Sequence, residues 1–196
     1  MKLSLNWIKK YVDLPDIPMS KLSYDLTMCT VEVEDAVSLS DSLSGLVVGR
    51  ILTVEPHPDA DKLRICTVDT GELAPSLIVC GGVNLAPNQK VAVAKPGAWV
   101  RWHGEGEPVE IKPAKLRGVM SYGMICSSGE IGLGDLFPTT MHAEIMDLTA
   151  FDAAPGTPLA DALDLNDVIL EIDNKSMTNR PDLWGHYGMA RELAAI

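Results

Sequence analysis

The chain has 196 residues, 46% of them hydrophobic, with four cysteines and a formal net charge of −11. That length suits one large or two small domains; no apolar run nears the ~20 residues of a membrane span, and "MKLSLNWIKKYVDL" sets charges and a Trp where a signal peptide needs unbroken apolar chain. The acidity is uneven: residues 1–46 carry −3, residues 47–127 carry +1 and residues 128–196 carry −9, so a phosphate-binding surface, if there is one, belongs to the middle.

In chain order, Ser4 is placed to cap a helix bearing Leu5, Trp7, Ile8, Tyr11 and Val12, which Pro15 stops. Ser20 is placed to cap a second short helix through Leu22, Tyr24 and Leu26. "TVEVEDAV" alternates Val31 and Val33 with Glu32 and Glu34, a strand with one wet face. From Leu46 the pattern is all β. "LVVGRILTVE", "KLRICTVD", "SLIVCGG", "QKVAVAKPG", "EIKPAKLRG" and "GMICSS" are short strands parted by Gly and Pro, as in a small barrel or sandwich. Within "KLRICTVD" the apolar positions slip from Leu63 and Ile65 to Cys66 and Val68, which predicts a bulge. After Phe137-Pro138 come a short helix in "PGTPLADAL", a strand in "DVILEID", and a helix in "NRPDLWGHYGMARELAAI" with Pro181 near its first turn. That helix meets no stop signal before Ile196, which predicts further chain for it to pack on.

The cysteines Cys29, Cys66, Cys80 and Cys126 lack zinc-knuckle spacing and sit in apolar contexts, the pattern of buried free thiols. The histidines His57, His103, His142 and His186 are scattered, with no metal-ligand spacing. The glycines of "VCGGVN" match neither the dinucleotide fingerprint nor a P-loop. No nucleophile–base pair stands out. Two cationic clusters remain. Pro56, Pro58, Asp59 and Asp61 frame a rigid turn that presents Lys62 and Arg64 at the mouth of a strand, a pattern that a plain solvated turn also produces. Lys112, Lys115 and Arg117 lie within six residues, near Gly118, Ser121, Tyr122, Gly123 and Met124. Cations beside backbone amides bind phosphate without reading sequence, although an exposed strand face explains them equally well.

"HPDADKLRICTVDTG", "IVCGGVNLAPNQKVAVAKPGA" and "IKPAKLRGVMSYGMICSSGEIGL" together resemble the tRNA-binding OB-fold domain. The flanks "MKLSLNWIKKYVDLP" and "NRPDLWGHYGMARELAAI" resemble the β chain of bacterial phenylalanyl-tRNA synthetase, in which that barrel is inserted into an N-terminal α/β domain. The resemblance implies a mixed α+β chain: residues 1–40 and 151–196 as two parts of a small α/β domain, and residues 41–150 as a five-stranded OB-fold β-barrel. It implies a parent class II ligase that joins phenylalanine to tRNA with ATP and Mg²⁺, as a cytoplasmic α₂β₂ assembly without membrane attachment. This chain would carry no catalytic residue and no cofactor; its partners would be tRNA and the synthetase α chain. Lys62, Arg64, Lys115 and Arg117 would meet RNA phosphates, Asn84, Ser121 and Met124 would line the same face, and His57 would organise its turn. The acids of residues 128–196 are expected on the side away from these cations. The chain departs from the family at Pro113, where Lys is common. Two other readings are a structural spacer with little RNA contact and a free-standing tRNA-binding protein.

Overall fold

A computed structural model describes every residue except His142, and of Ser176 the backbone alone. The elements in chain order are β1 (Lys2–Ser4), α1 (Leu5–Ile8), α2 (Met19–Cys29), β2 (Val33–Ser38), β3 (Leu46–His57), β4 (Ala60–Asp69), β5 (Ser76–Cys80), β6 (Lys90–Ala94), β7 (Trp99–Arg101), β8 (Pro108–Glu110), β9 (Ala114–Leu116), β10 (Val119–Ser121), β11 (Met124–Ile125), α3 (Leu159–Ala162), β12 (Val168–Ile172) and α4 (His186–Leu193). The fold is mixed α+β and divides into two compact units, Met1–Leu39 with Asn166–Ile196, and Ser40–Leu165.

The first unit holds a three-stranded antiparallel sheet of order β1-β12-β2. The late strand β12 lies between two early ones because Leu170 and Ile172 supply the apolar face that Leu3, Ile8, Leu26 and Met189 cover. Ser4 caps α1, its Oγ accepting the Trp7 N–H at 3.0 Å. The helix closes at Ile8 rather than running to Val12: the N–H groups of Lys10 and Tyr11 reach back only to the carbonyls of Trp7 and Ile8, which tightens the turn. Helix α2 starts before the expected cap Ser20. Pro18 occupies the cap position without a side-chain bond, and its carbonyl accepts from both Lys21 and Leu22. Pro181 opens a separate 3₁₀ turn, Pro181–Leu183, and α4 begins only beyond Gly185.

The second unit is built on a five-stranded antiparallel sheet of hydrogen-bonded order β11-β6-β3-β4-β5. This order is open, since no ladder pairs β11 with β5. Strand β3 is long enough to serve two neighbours in succession: Leu46–Arg50 pairs β6, and Arg50 to His57 pairs β4. The register with β4 shifts between Ile51 and Thr53. The bulge predicted in β4 therefore sits on its partner, with Leu52 as the extra residue. In β4 itself Cys66 and Val68 point into the core, and Leu63 and Ile65 take the half-buried face. Strand β6 is buried on both faces. Val91 and Val93 join Ile51, Cys66, Val68, Ile78 and Ile125 in one core. Ala92 and Ala94 join Leu46, Val48, Cys126, Leu148 and Leu159 in another.

Residues 151–165, expected with the flanking domain, pack in this second unit. The N–H of Val48 donates to Thr157 O and that of Gly156 to Val48 O, and Leu159 and Ala160 of α3 enter the core. Of the cysteines, Cys66, Cys80 and Cys126 are buried free thiols, whereas Cys29, the last residue of α2, is exposed.

Candidate nucleic-acid interface

The two cationic clusters lie on adjoining hairpins. Lys62 and Arg64 open β4. Lys115 is on β9, and Arg117 with Gly118 makes the two-residue connection to β10. Leu116 pairs with Val119 across it. Arg117 has φ 46° and Gly118 has φ 94°, the two left-handed centres of a type I′ hairpin turn. Gly118 suits its position; Arg117 takes a conformation that Asn or Gly adopts more readily. Lys115 and Arg117 are exposed.

His57 ties the hairpins together. It is buried, 5% exposed. Its Nδ1 accepts the Asp59 N–H at 3.1 Å, and its Nε2 lies 3.2 Å from the Leu116 carbonyl. An acceptor at Nδ1 and a carbonyl at Nε2 fix the neutral tautomer that carries its hydrogen on Nε2. The imidazole thus both holds the β3–β4 turn and anchors the β9–β10 hairpin beside it. A Cβ on Gly118 would lie 3.9 Å from Asp59 Oδ2.

Among the described residues none of Lys62, Arg64, Lys115 and Arg117 forms an ion pair. Arg50, Lys95 and Lys112 of the same unit do, with Asp69, Glu72 and Glu110. Arg64 is held by its own turn, Nη1 donating to Asp61 O at 2.9 Å and Leu63 O at 3.0 Å. Its remaining N–H donors are left for a ligand. Lys62 and Arg64 also line a cleft of about 530 Å³ with Val54, Gly81, Gly82, Val83, Leu85 and Ala143.

The other three expected site residues take structural positions. The Asn84 amide clamps Ile145, Nδ2 donating to its carbonyl at 3.0 Å and Oδ1 accepting its N–H at 2.8 Å. Ser121 is 3% exposed, its Oγ accepting the Val79 N–H and donating to Gly123 O. Met124 is half-buried against the Leu46–Leu159 core. Val83 is 60% exposed at the cleft; a lone Val after "GG" carries no signal in the sequence. Trp99 and Trp102 stand exposed on the β7–β8 hairpin, but Glu105, Glu107 and Glu110 share it, so it adds no phosphate-binding potential.

The acids of residues 128–165 belong to this unit, which therefore holds nine cations against 16 acids, net −7. Several are tied to backbone amides: Glu130 to Ser127, Glu144 to Thr140 and Met141, and Asp147 to Thr149.

The linked hairpins of this antiparallel sheet thus carry four cations that form no ion pair among the described residues. Residues 46–147 match the model of the putative tRNA-binding domain, and the chain belongs to that family. Along its full length it is 41% identical to the phenylalanine–tRNA ligase β subunit of Latilactobacillus sakei and 42% identical to that of Geobacillus kaustophilus, covering 23% and 24% of those proteins. The chain thus spans about a quarter of the length of the curated relatives it matches. Among solved structures, the C-terminal domain of Plasmodium vivax p43 aligns over 57% of this chain and 56% of its own at 24% identity, with a TM-score of 0.39, a likeness too loose to weigh.

Proposed function

We propose that the chain is the N-terminal region of a phenylalanine–tRNA ligase β subunit and that its central unit contacts tRNA through Lys62, Arg64, Lys115 and Arg117. The observation that carries this reading is the set of four cations, on two hairpins joined through His57, with no ion pair among the described residues. The parent enzyme would work with an α chain as a cytoplasmic α₂β₂ assembly and use ATP and Mg²⁺ outside this region. Among the described residues no three His, Cys, Asp or Glu side chains are placed to hold a metal ion together.

The central sheet is read as an OB barrel closed at its open edge by other than ladder bonds. Support comes from the Tyr122 N–H, which donates to Leu77 O at 2.8 Å, and from the Ser121–Val79 bond at 3.1 Å. Both join β5 to the chain around β10, just before β11. Residues from all five strands also share one core.

A few phosphate contacts give a weak site, about 10⁻⁵ M at physiological salt, that strengthens as salt falls. The test is titration of tRNA at low salt against this chain and against its Lys115→Glu/Arg117→Glu variant. The variant is expected to bind at least about tenfold more weakly, with a salt slope shallower by about two. Equal retention would overturn the reading and favour a structural spacer, which the net charge of −7 also suits.

A further inference from the structure

We propose that the cleft beside Lys62 and Arg64 receives one unstacked nucleotide of a single-stranded RNA segment, with its phosphate on the two cations and its base against Val83 and Leu85. This rests on reading the unit as RNA-binding but concerns a different part of the surface from the Lys115–Arg117 hairpin. The cleft measures about 530 Å³, within the ~300–1,000 Å³ of small-ligand sites. Among the described residues no carboxylate lines it, although the unit as a whole is acidic. Arg64 is pre-organised, since bonds from Nη1 to Asp61 O and Leu63 O pin the guanidinium and leave other donors for phosphate. Val83 is 60% exposed and presents an aliphatic side chain to the cleft. A base face pairs well with such a surface, because stacking and apolar contact accept any base.

The wall that carries Val83 is braced by hydrogen bonds. Its N–H donates to Ala143 O at 3.1 Å, and Asn84 clamps Ile145 from both sides. Gly82 lies so close to this support that a Cβ would meet Ile145 Cγ2 at 2.7 Å. A cleft held open in this way needs little ordering to bind. A paired base has no free face to offer, so an RNA duplex can touch Lys62 and Arg64 but cannot fill the site.

The experiment follows the methyl resonances of Val54, Val83 and Leu85 while the 196-residue chain is titrated with a uridine hexamer, and separately with a 12-base-pair RNA duplex. The hexamer is expected to shift all three methyls and the duplex to leave them in place. Val83→Asp, at an exposed site that does not burden folding, and Lys62→Glu are each expected to weaken the hexamer at least about fivefold. Equal methyl shifts with both RNAs, or hexamer binding unaffected by Val83→Asp, would overturn the proposal. Loss of tRNA binding in Lys115→Glu/Arg117→Glu together with unmoved cleft methyls would reject the nucleotide site alone. Filled cleft methyls with tRNA binding indifferent to that pair would reject the hairpin contact alone.

Discussion

Arg117 is where local preference and surface chemistry disagree. A type I′ turn favours Asn-Gly, and a left-handed conformation costs an ordinary L-residue about 1–2 kcal/mol. This chain has Arg-Gly there, at φ 46° and 94°. Natural chains break local rules chiefly at functional or strained sites. Arg117→Asn is therefore expected to raise stability by roughly 0.5–1 kcal/mol while weakening tRNA and lowering the salt slope by about one. Urea unfolding and salt-dependent titration read the two effects on the same sample. A variant that gains stability with unchanged tRNA affinity would remove Arg117 from the interface. The turn residues were legible in the sequence; the left-handed φ of Arg117 was not, because Gly118 alone suggests several turn types. His57 was legible as an organiser of its own turn. Its second bond, to Leu116 O across 59 residues, has no local signature.

At the level of elements, the strands were readable from alternation and from Gly and Pro, and their joining was not. "KLRICTVD" showed a slip in its apolar positions, yet the register shift lies on β3. Leu63 and Ile65 lie on one face of β4 and Cys66 and Val68 on the other, so the apparent slip is a strand with apolar residues on both faces. Asn84 and Ser121 were picked as polar residues on a binding face, but both bond backbone groups of distant segments. A polar side chain near glycines reads the same from sequence whether it meets solvent or a buried amide. The Ser121 hydroxyl is central to the edge between β5 and β10, because it serves Val79 N–H and Gly123 O in a buried setting. Ser121→Ala leaves both groups unpaired and is expected to cost about 1–3 kcal/mol. Hydrogen exchange checks the closure independently: the Val79 and Tyr122 amides should be as protected as the ladder amides of β4 in the parent chain, and Val79 should lose protection in the variant. Rapid exchange of both in the parent chain would mean that the sheet is open at this edge.

For the whole molecule, the linear charge map misled in one respect. It isolated a non-acidic middle, but Ile145, Met146, Leu148 and Leu159 bring the acidic stretch into the same unit as core residues. The apolar side chains of a segment decide where it packs, and the acids between them follow. The cysteines give a direct test of how completely that core is sealed. Desolvation by burial pushes the Cys66 thiol from the ordinary 9.0 up to about 12 and the Cys80 thiol to about 11, and raises Cys126 further still. Cys29 is exposed on the first unit. At pH 8 the native chain is expected to show one thiol reacting promptly with a disulfide reagent and three reacting only as fast as the central unit opens, with all four prompt in denaturant. The sign of the pH effect follows from the same shifts. Below pH 9 the buried thiols are protonated in both states and stability is undiminished. Above it the unfolded chain releases protons that the folded chain retains, so stability falls as pH rises through 9 toward the folded values of about 11 and 12. Urea midpoints measured from pH 8 to 10.5 should therefore decline, and the three slow thiols should quicken together over the same range. A second prompt thiol at pH 8 would show that the core assigned to Cys66, Cys80 and Cys126 is open to solvent.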